Sequence, residues 1–137
     1  MKMKMRTNED SLYEPVTQWL QRYLQGRYPR SSVLARDCHR VSLSRVIRQL
    51  DLVEQFPQSD LWDIQIDVVG IVVKPRSALL VLVECKARQP RLMDVCQLLG
   101  YSLVVKPAAA ILVSPCPVSN GLAQLLRVHG RYDVTVR

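Results

Sequence analysis

The chain has no apolar run near the ~20 residues that a membrane-spanning helix requires. Its longest apolar run extends from Ala78 to Val83, which is the length of a β-strand. Three of the first six residues are basic, but no apolar segment follows them as it would in a secretory signal. We therefore expect a cytoplasmic protein that makes no contact with a membrane.

Cysteine and histidine are also sparse and are not arranged as metal ligands. The four cysteines, at positions 38, 85, 96 and 116, include no C-x-x-C pair, and the chain has only two histidines. Zinc sites and disulfide frameworks need closer or more regular spacing. We expect the cysteines to be reduced core residues, and His39 and His129 to be exposed without a role as ligands.

Basic residues outnumber acidic residues in this chain. Nineteen Lys and Arg stand against twelve Asp and Glu, which gives a net charge of +7. Such an excess favours a polyanionic partner, and DNA is the first choice, although a protein that is merely basic and soluble has the same balance. The arginines that we expect to contact phosphates are Arg36, Arg40, Arg88 and Arg91.

The 137 residues are enough for one domain with its own core, and 48% of them are hydrophobic. No linker or internal repeat divides the chain. We therefore predict a single domain over residues 1–137, of which residues 1–9 form a flexible basic arm.

Apolar periodicity predicts four helices and five strands. The predicted helices cover residues 11–25, 42–55, 91–105 and 119–129. The predicted strands lie around residues 33–35, at 62–73, 78–86 and 109–114, and at 132–136. The turn Lys74–Ser77 predicts an antiparallel hairpin, and the next strand–helix–strand unit predicts a parallel pair. The fold class is α/β, with a mixed four- to five-stranded sheet covered by helices on both faces.

Acidic and basic side chains occur where two apolar strands reach their ends. Glu84 and Lys86 share one face at the end of the strand that begins at Ala78. Asp67, with Asp63 as an alternative, lies on the neighbouring strand and can approach Glu84 across the sheet. Carboxylate oxygens in this arrangement suit Mg²⁺ or Mn²⁺. A structural ion pair between Glu84 and Lys86 is the simpler alternative.

An acid followed by E-x-K at the end of an apolar strand resembles the PD-(D/E)XK nuclease superfamily, which has a restriction endonuclease-like core. Gln97 and Tyr101, on the next helix, match the Q-x-x-x-Y motif of its RecB-like branch. The resemblance covers residues 14–114. It departs from the family pattern in two places: Ile66 replaces the proline before the first acid, and the helix at 42–55 is additional.

The resemblance implies a metal-dependent hydrolase acting on the phosphodiester bonds of DNA. It implies that Asp67, Glu84 and the backbone carbonyl of Cys85 hold Mg²⁺ or Mn²⁺, and that Lys86 acts on the attacking water. It further implies a role for Glu14, with Glu9 as a substitute, and for Gln97 and Tyr101 as supports of Lys86 or the phosphate.

Each implied role has a structural alternative. Residues 11–14 read Ser-Leu-Tyr-Glu, a capping box that accounts for Glu14 without catalysis. Gln97, on a helix that is apolar nearly all round, is expected to be buried, whereas Asp94 is expected to be either a solvated acid or an acid at the N-terminus of the helix.

Two other functional classes are compatible with the sequence. One is a catalytically silent nucleic-acid-binding or regulatory subunit that keeps the nuclease fold. The other is a non-catalytic homodimer joined at a sheet edge, with the helix at 42–55 as the interface. No small-molecule cofactor is expected in either class.

Overall fold

The computed structural model describes residues 8–128, which form four α-helices, four strands and one 3₁₀ turn. In chain order these are α1 (Asp10–Arg27), β1 (Ser32–Asp37), α2 (Leu43–Gln49), the 3₁₀ turn (Ser59–Leu61), β2 (Val68–Val73), β3 (Ala78–Cys85), α3 (Leu92–Val105), β4 (Ala109–Val113) and α4 (Asn120–Val128).

The strands form one four-stranded sheet in the order β1-β2-β3-β4. β1 pairs antiparallel with β2, and β2 pairs antiparallel with β3 through the turn at Lys74, whose N–H donates to Ser77 O at 2.8 Å. α3 then crosses over, so that β4 runs parallel to β3. The predicted α/β class, the hairpin and the parallel unit are confirmed.

Helix α1 covers one face of the sheet. Its buried stripe packs on alternate residues of the two central strands, and the members are Tyr13, Val16, Leu20 and Leu24 on α1 with Val68, Val72, Val81 and Val83 on the sheet. Gly70, on the same face, lets the helix approach closely. A Cβ at that position would lie 2.6 Å from Leu24 Cδ1 and 3.0 Å from Leu20 Cδ2.

Helices α2 and α3 cover the opposite face. The core there joins Leu43, Val46, Ile47, Leu98 and Val105 of the helices to Val69, Ile71, Leu80 and Leu82 of the sheet. The prediction of helices on both faces is therefore confirmed. No helix within residues 8–128 has the length and apolar character to cross a lipid bilayer.

The helix predicted over residues 42–55 is only seven residues long. The chain turns at Asp51, which has a φ of 57°, and the N–H of Leu52 donates to Ile47 O at 3.0 Å. Aspartate tolerates this left-handed conformation better than most residues. Phe56 then returns to the core, so the apolar spacing beyond Leu50 reflects a folded-back loop instead of more helix.

The strand predicted over residues 62–73 begins only at Val68. The segment before it has no neighbouring strand, because β1 ends at Asp37, opposite Val68. Its carbonyls instead accept from the first turn of α2: Ile64 O from Leu43 N at 2.8 Å and Trp62 O from Ser44 N at 3.1 Å. These contacts satisfy N–H groups that a helix start leaves unpaired.

Helix α1 begins before the expected cap. Ser11 lies inside the helix, where its hydroxyl donates to Asn8 O at 2.6 Å, so the predicted capping box with Glu14 is wrong. Pro15 also lies inside the helix, where its missing N–H leaves the carbonyl of the preceding turn without its usual donor.

The two ends of the chain are described only in part. Residues 1–7 of the predicted arm, His129 and the strand predicted at 132–136 lie outside the described residues. Glu9 is described, and it lies immediately before α1.

The prediction that the cysteines are core residues is confirmed for Cys38 and Cys85. It is wrong for Cys96, which is exposed because it lies on the outer side of α3.

Replacing Gly70 with alanine tests the contact between α1 and the sheet. We expect Gly70→Ala to lower the free energy of unfolding by about 1–3 kcal/mol, because the new methyl group overpacks a buried contact. Gly26→Ala is the control, since a Cβ there meets nothing within 4 Å, and it should stabilise α1 by about 0.5–1 kcal/mol. Urea unfolding of both variants measures the difference, and equal stabilities would contradict the packing described.

Candidate active site

Asp67 and Glu84 meet at the end of the central hairpin. Val68 pairs with Val83, so Asp67 directly precedes β2 opposite Glu84. The N–H of Asp67 donates to Glu84 Oε1 at 3.2 Å, and the N–H of Cys85 donates to Asp67 Oδ2 at 2.8 Å. The predicted approach of these two acids across the sheet is therefore found. Asp63, the alternative, is exposed in the segment before β2.

Burial makes this pair of carboxyls hold protons more tightly than usual. Glu84 is 6% exposed, and its pKa rises from 4.5 to about 7, first because of burial and second because of the charge on Asp67. Burial also raises the pKa of Asp67, against the opposing effects of the Cys85 N–H, Lys86 and His39. The pair therefore favours a bound proton or a bound cation.

Lys86 continues the same strand face as Glu84 and lies between two further acids. Its Nζ is 3.9 Å from Glu9 Oε1 and 4.0 Å from Asp94 Oδ1, and its side chain is 18% exposed. Its backbone N–H donates to Val113 O at 2.9 Å, which ties this position to β4. The ammonium group is thus held at the end of the sheet between the carboxylates of Glu9 and Asp94.

Asp94 is buried in the first turn of α3, so the expectation of an acid at the helix N-terminus is confirmed and the alternative of a solvated acid is wrong. Arg88 donates to both of its carboxylate oxygens, at 2.7 Å from Nη1 and 2.9 Å from Nη2, and the N–H of Arg91 donates at 2.8 Å. Arg88 is the main cause of the lowered pKa of Asp94. Burial is tolerated because these donors replace water. The sequence feature that indicates this contact is the place of Asp94 at the third position of α3, from which a side chain can reach back to the helix start.

The structure brings Glu9 to this site and leaves Glu14 away from it. Glu9 precedes the first turn of α1 and approaches Lys86. Glu14 is exposed and accepts a bond from Gln18 Nε2 at 3.4 Å along the same helix. The difference follows from the early start of α1, which turns Glu14 to the solvent side.

Gln97 and Tyr101 are joined on α3 as their spacing predicted. Gln97 Nε2 donates to the Tyr101 hydroxyl at 3.0 Å. The expectation that Gln97 is buried is wrong, since its side chain is exposed. Tyr101, on the same helix, is partly buried and packs against the core on that face of the sheet.

His39 is a residue whose place the sequence analysis missed. Its Nδ1 is paired with Asp37, and its ring stacks on Tyr13 with centroids 4.1 Å apart. The preceding residue, Cys38, donates from its N–H to Asp67 O at 2.9 Å. The sequence feature that indicates this pairing is the spacing of Asp37 and His39, because residues two apart share a face at the end of a strand.

The four arginines predicted to contact phosphates have two different environments. Arg36, Arg40 and Arg91 have exposed side chains. Arg88 is also on the surface, but its guanidinium group is committed to Asp94. Arg88 therefore holds the loop after β3 to the start of α3.

The donor set at Asp67 and Glu84 suits a cation that needs few protein ligands. Among residues 8–128, no three His, Cys, Asp or Glu side chains lie close enough together to hold a metal ion. Mg²⁺ commonly binds through one or two carboxylates and keeps several waters. The buried carboxyl of Glu84 and the half-buried carboxyl of Asp67, whose pKa values are both raised, fit that pattern and do not fit a structural zinc site.

The raised pKa of Glu84 predicts how stability depends on pH. The folded protein holds this proton more tightly than the unfolded chain, so in EDTA the free energy of unfolding should fall as the pH rises from about 4.5 to about 7. The Glu84 contribution is at most about 3 kcal/mol. Glu84→Gln should remove it, whereas the exposed Glu14→Gln should keep it. Urea unfolding across this range measures the slope, and a slope unchanged by Glu84→Gln would contradict the assignment.

Comparisons with known proteins give no family for this chain. No protein-family model matches it. Searches of curated proteins and of solved structures found no significant match either. The residues and their geometry are therefore the basis for any functional conclusion.

Proposed function

We propose that this protein is a metal-dependent nuclease that hydrolyses phosphodiester bonds of DNA, with a restriction endonuclease-like core. The observation that carries the proposal is the pairing of the buried Glu84 with the half-buried Asp67, with Lys86 close enough for its charge to act on both. Two acids that are buried together lower stability unless a cation or a proton joins them. Such an arrangement at a sheet end is typical of a functional site.

Asp67, Glu84 and the backbone carbonyl of Cys85 would hold Mg²⁺ or Mn²⁺. When bound, the ion supplies Lewis-acid polarisation of the phosphate and lowers the pKa of a coordinated water. The backbone N–H groups of Asp67 and Cys85 keep one oxygen of each carboxylate in place. The carboxylates would thus be oriented before the ion arrives.

Lys86 would orient the attacking water and offset negative charge on the phosphate in the transition state. Its neighbours support this role, because Glu9 and Asp94 flank the ammonium group from α1 and α3. Those contacts restrict the side chain. Of the two acids considered at the chain start, Glu9 is the better candidate, since Glu14 lies away from Lys86.

The exposed Gln97–Tyr101 pair would contact the phosphate backbone of the substrate from α3. Arg36, Arg40 and Arg91 are exposed and would add phosphate contacts. The net charge of +7 supports a polyanionic substrate. Arg88 would act indirectly, by holding Asp94 beside Lys86.

Titration calorimetry with Mn²⁺ tests the metal site. We expect the wild-type protein to bind Mn²⁺, and Glu84→Gln and Asp67→Asn to lose binding, because each removes a carboxylate charge from a two-acid site. Asp63→Asn is the matched control, since Asp63 is exposed and should not contribute. Wild-type protein that binds no Mn²⁺, with or without a short DNA duplex, would favour the silent nucleic-acid-binding subunit.

Cleavage of plasmid and single-stranded DNA in Mg²⁺ tests the role of Lys86. We expect Lys86→Ala to slow cleavage by roughly 100-fold or more, because the loss of a positioned proton-transfer group has an effect of that size. Glu9→Gln should also slow cleavage, because it removes a partner of the ammonium group, and Glu14→Gln should not. If Lys86→Ala cleaves as fast as the wild-type protein, the role given to Lys86 is wrong.

A further inference from the structure

A histidine is held beside the candidate site by two neighbours. Asp37 ends β1, and its carboxylate accepts a hydrogen bond from the backbone N–H of His39 at 3.2 Å and pairs with Nδ1 of the same residue. The His39 ring stacks on Tyr13 of α1, with centroids 4.1 Å apart. The imidazole is therefore fixed by a carboxylate and by an aromatic ring, and its side chain is still 22% exposed.

The strand order puts His39 and Lys86 on opposite sides of Asp67. β1 ends, β2 begins and β3 ends at the same edge of the sheet, because both strand pairs are antiparallel. His39 follows β1, Asp67 precedes β2, and Lys86 follows β3. Neighbouring strands lie about 4.8 Å apart, so the backbone positions after β1 and after β3 are roughly 10 Å apart with Asp67 between them.

Two observations show that His39 acts on the same acid as Lys86. The N–H of Cys38 donates to Asp67 O at 2.9 Å, which joins the residue before His39 to the residue before β2. The charge on His39, like that on Lys86, opposes the burial that raises the pKa of Asp67. A base therefore lies near Asp67 on each side.

His39 is suited to proton transfer and not to metal binding. Among residues 8–128, no three His, Cys, Asp or Glu side chains lie close enough together to hold an ion, so His39 does not complete the site of Asp67 and Glu84. Its Nδ1 is engaged by Asp37, which leaves Nε2 as the nitrogen that can exchange a proton. A carboxylate that orients an imidazole in this way is a common feature of general acids and bases.

We propose that His39 is the general acid of the reaction, and that its Nε2–H protonates the sugar oxygen that leaves when the phosphodiester bond breaks. This inference rests on the proposed nuclease function. The attacking and leaving oxygens lie roughly in line on opposite sides of the phosphorus, which matches the two bases on opposite sides of Asp67. Asp37 is a positioning residue for the ring.

The proposed step is balanced in atoms and charge. The oxygen of water forms a bond to phosphorus on the side of Lys86, and the bond from phosphorus to the sugar oxygen breaks. The proton of His39 passes to that oxygen, so that an alcohol leaves instead of an alkoxide. The proton lost by the attacking water goes to the solvent, and the solvent returns a proton to His39.

Two substrates with different leaving groups test this role. DNA releases a strongly basic sugar oxygen that needs a proton, whereas bis(p-nitrophenyl) phosphate releases p-nitrophenolate, which leaves without one. In Mg²⁺ we expect His39→Gln to lower the ratio of the DNA rate to the bis(p-nitrophenyl) phosphate rate by roughly 100-fold, the contribution of a positioned acid. Asp37→Asn should lower this ratio by less, because the imidazole remains. Arg45→Gln, exposed on α2, is the control and should leave the ratio unchanged.

Calorimetry with Mn²⁺ gives a readout that does not depend on turnover. His39→Gln should bind Mn²⁺ as the wild-type protein does, and circular dichroism should show the same fold. If His39→Gln does not fold, Asp37→Asn provides the same comparison. An unchanged rate ratio, or the loss of Mn²⁺ binding in a folded His39→Gln, would overturn the role of His39 and leave the nuclease function standing. A wild-type protein that cleaves neither substrate would overturn the nuclease function, and this role with it.

Discussion

Two backbone hydrogen bonds that hold the carboxylates of Asp67 and Glu84 are the constraint on which the candidate site depends. Each carboxylate is anchored by a backbone N–H at the end of the β2–β3 hairpin, from Asp67 itself and from Cys85. The pairing register of the hairpin brings the two side chains to one face. A shift of one residue in that register would turn one acid to the opposite face. The apolar residues that fill both faces of the hairpin therefore also position the acids.

The charges around this pair form a continuous set drawn from several elements. Lys86 directly follows β3 and contacts Glu9 before α1 and Asp94 on α3. Arg88 then neutralises Asp94 from the loop between β3 and α3. Buried acids of this kind are tolerated only where donors or cations replace water. Within residues 8–128, no buried side-chain oxygen or nitrogen lacks a hydrogen-bond partner.

Helix α3 connects the core and the candidate site. Its inner stripe completes the core on one face of the sheet, and its first turn supplies Asp94. The connection from β3 to β4 crosses through this helix, which places its start beside the end of β3. Its outer side is exposed and carries Leu92, Met93, Leu103 and Val104.

The sequence by itself determined the hairpin, the parallel crossover and the meeting of Asp67 with Glu84, because alternation and chain order are local properties of neighbouring strands. It also determined that Gln97 and Tyr101 meet, since they are one turn apart on a helix. Only the tertiary structure decided that Glu9 instead of Glu14 approaches Lys86, that Asp94 is buried, and that α2 ends at Gln49. These outcomes depend on where a helix starts and which distant segment supplies a counter-charge or a hydrogen bond, and apolar spacing along the chain carries no information about either.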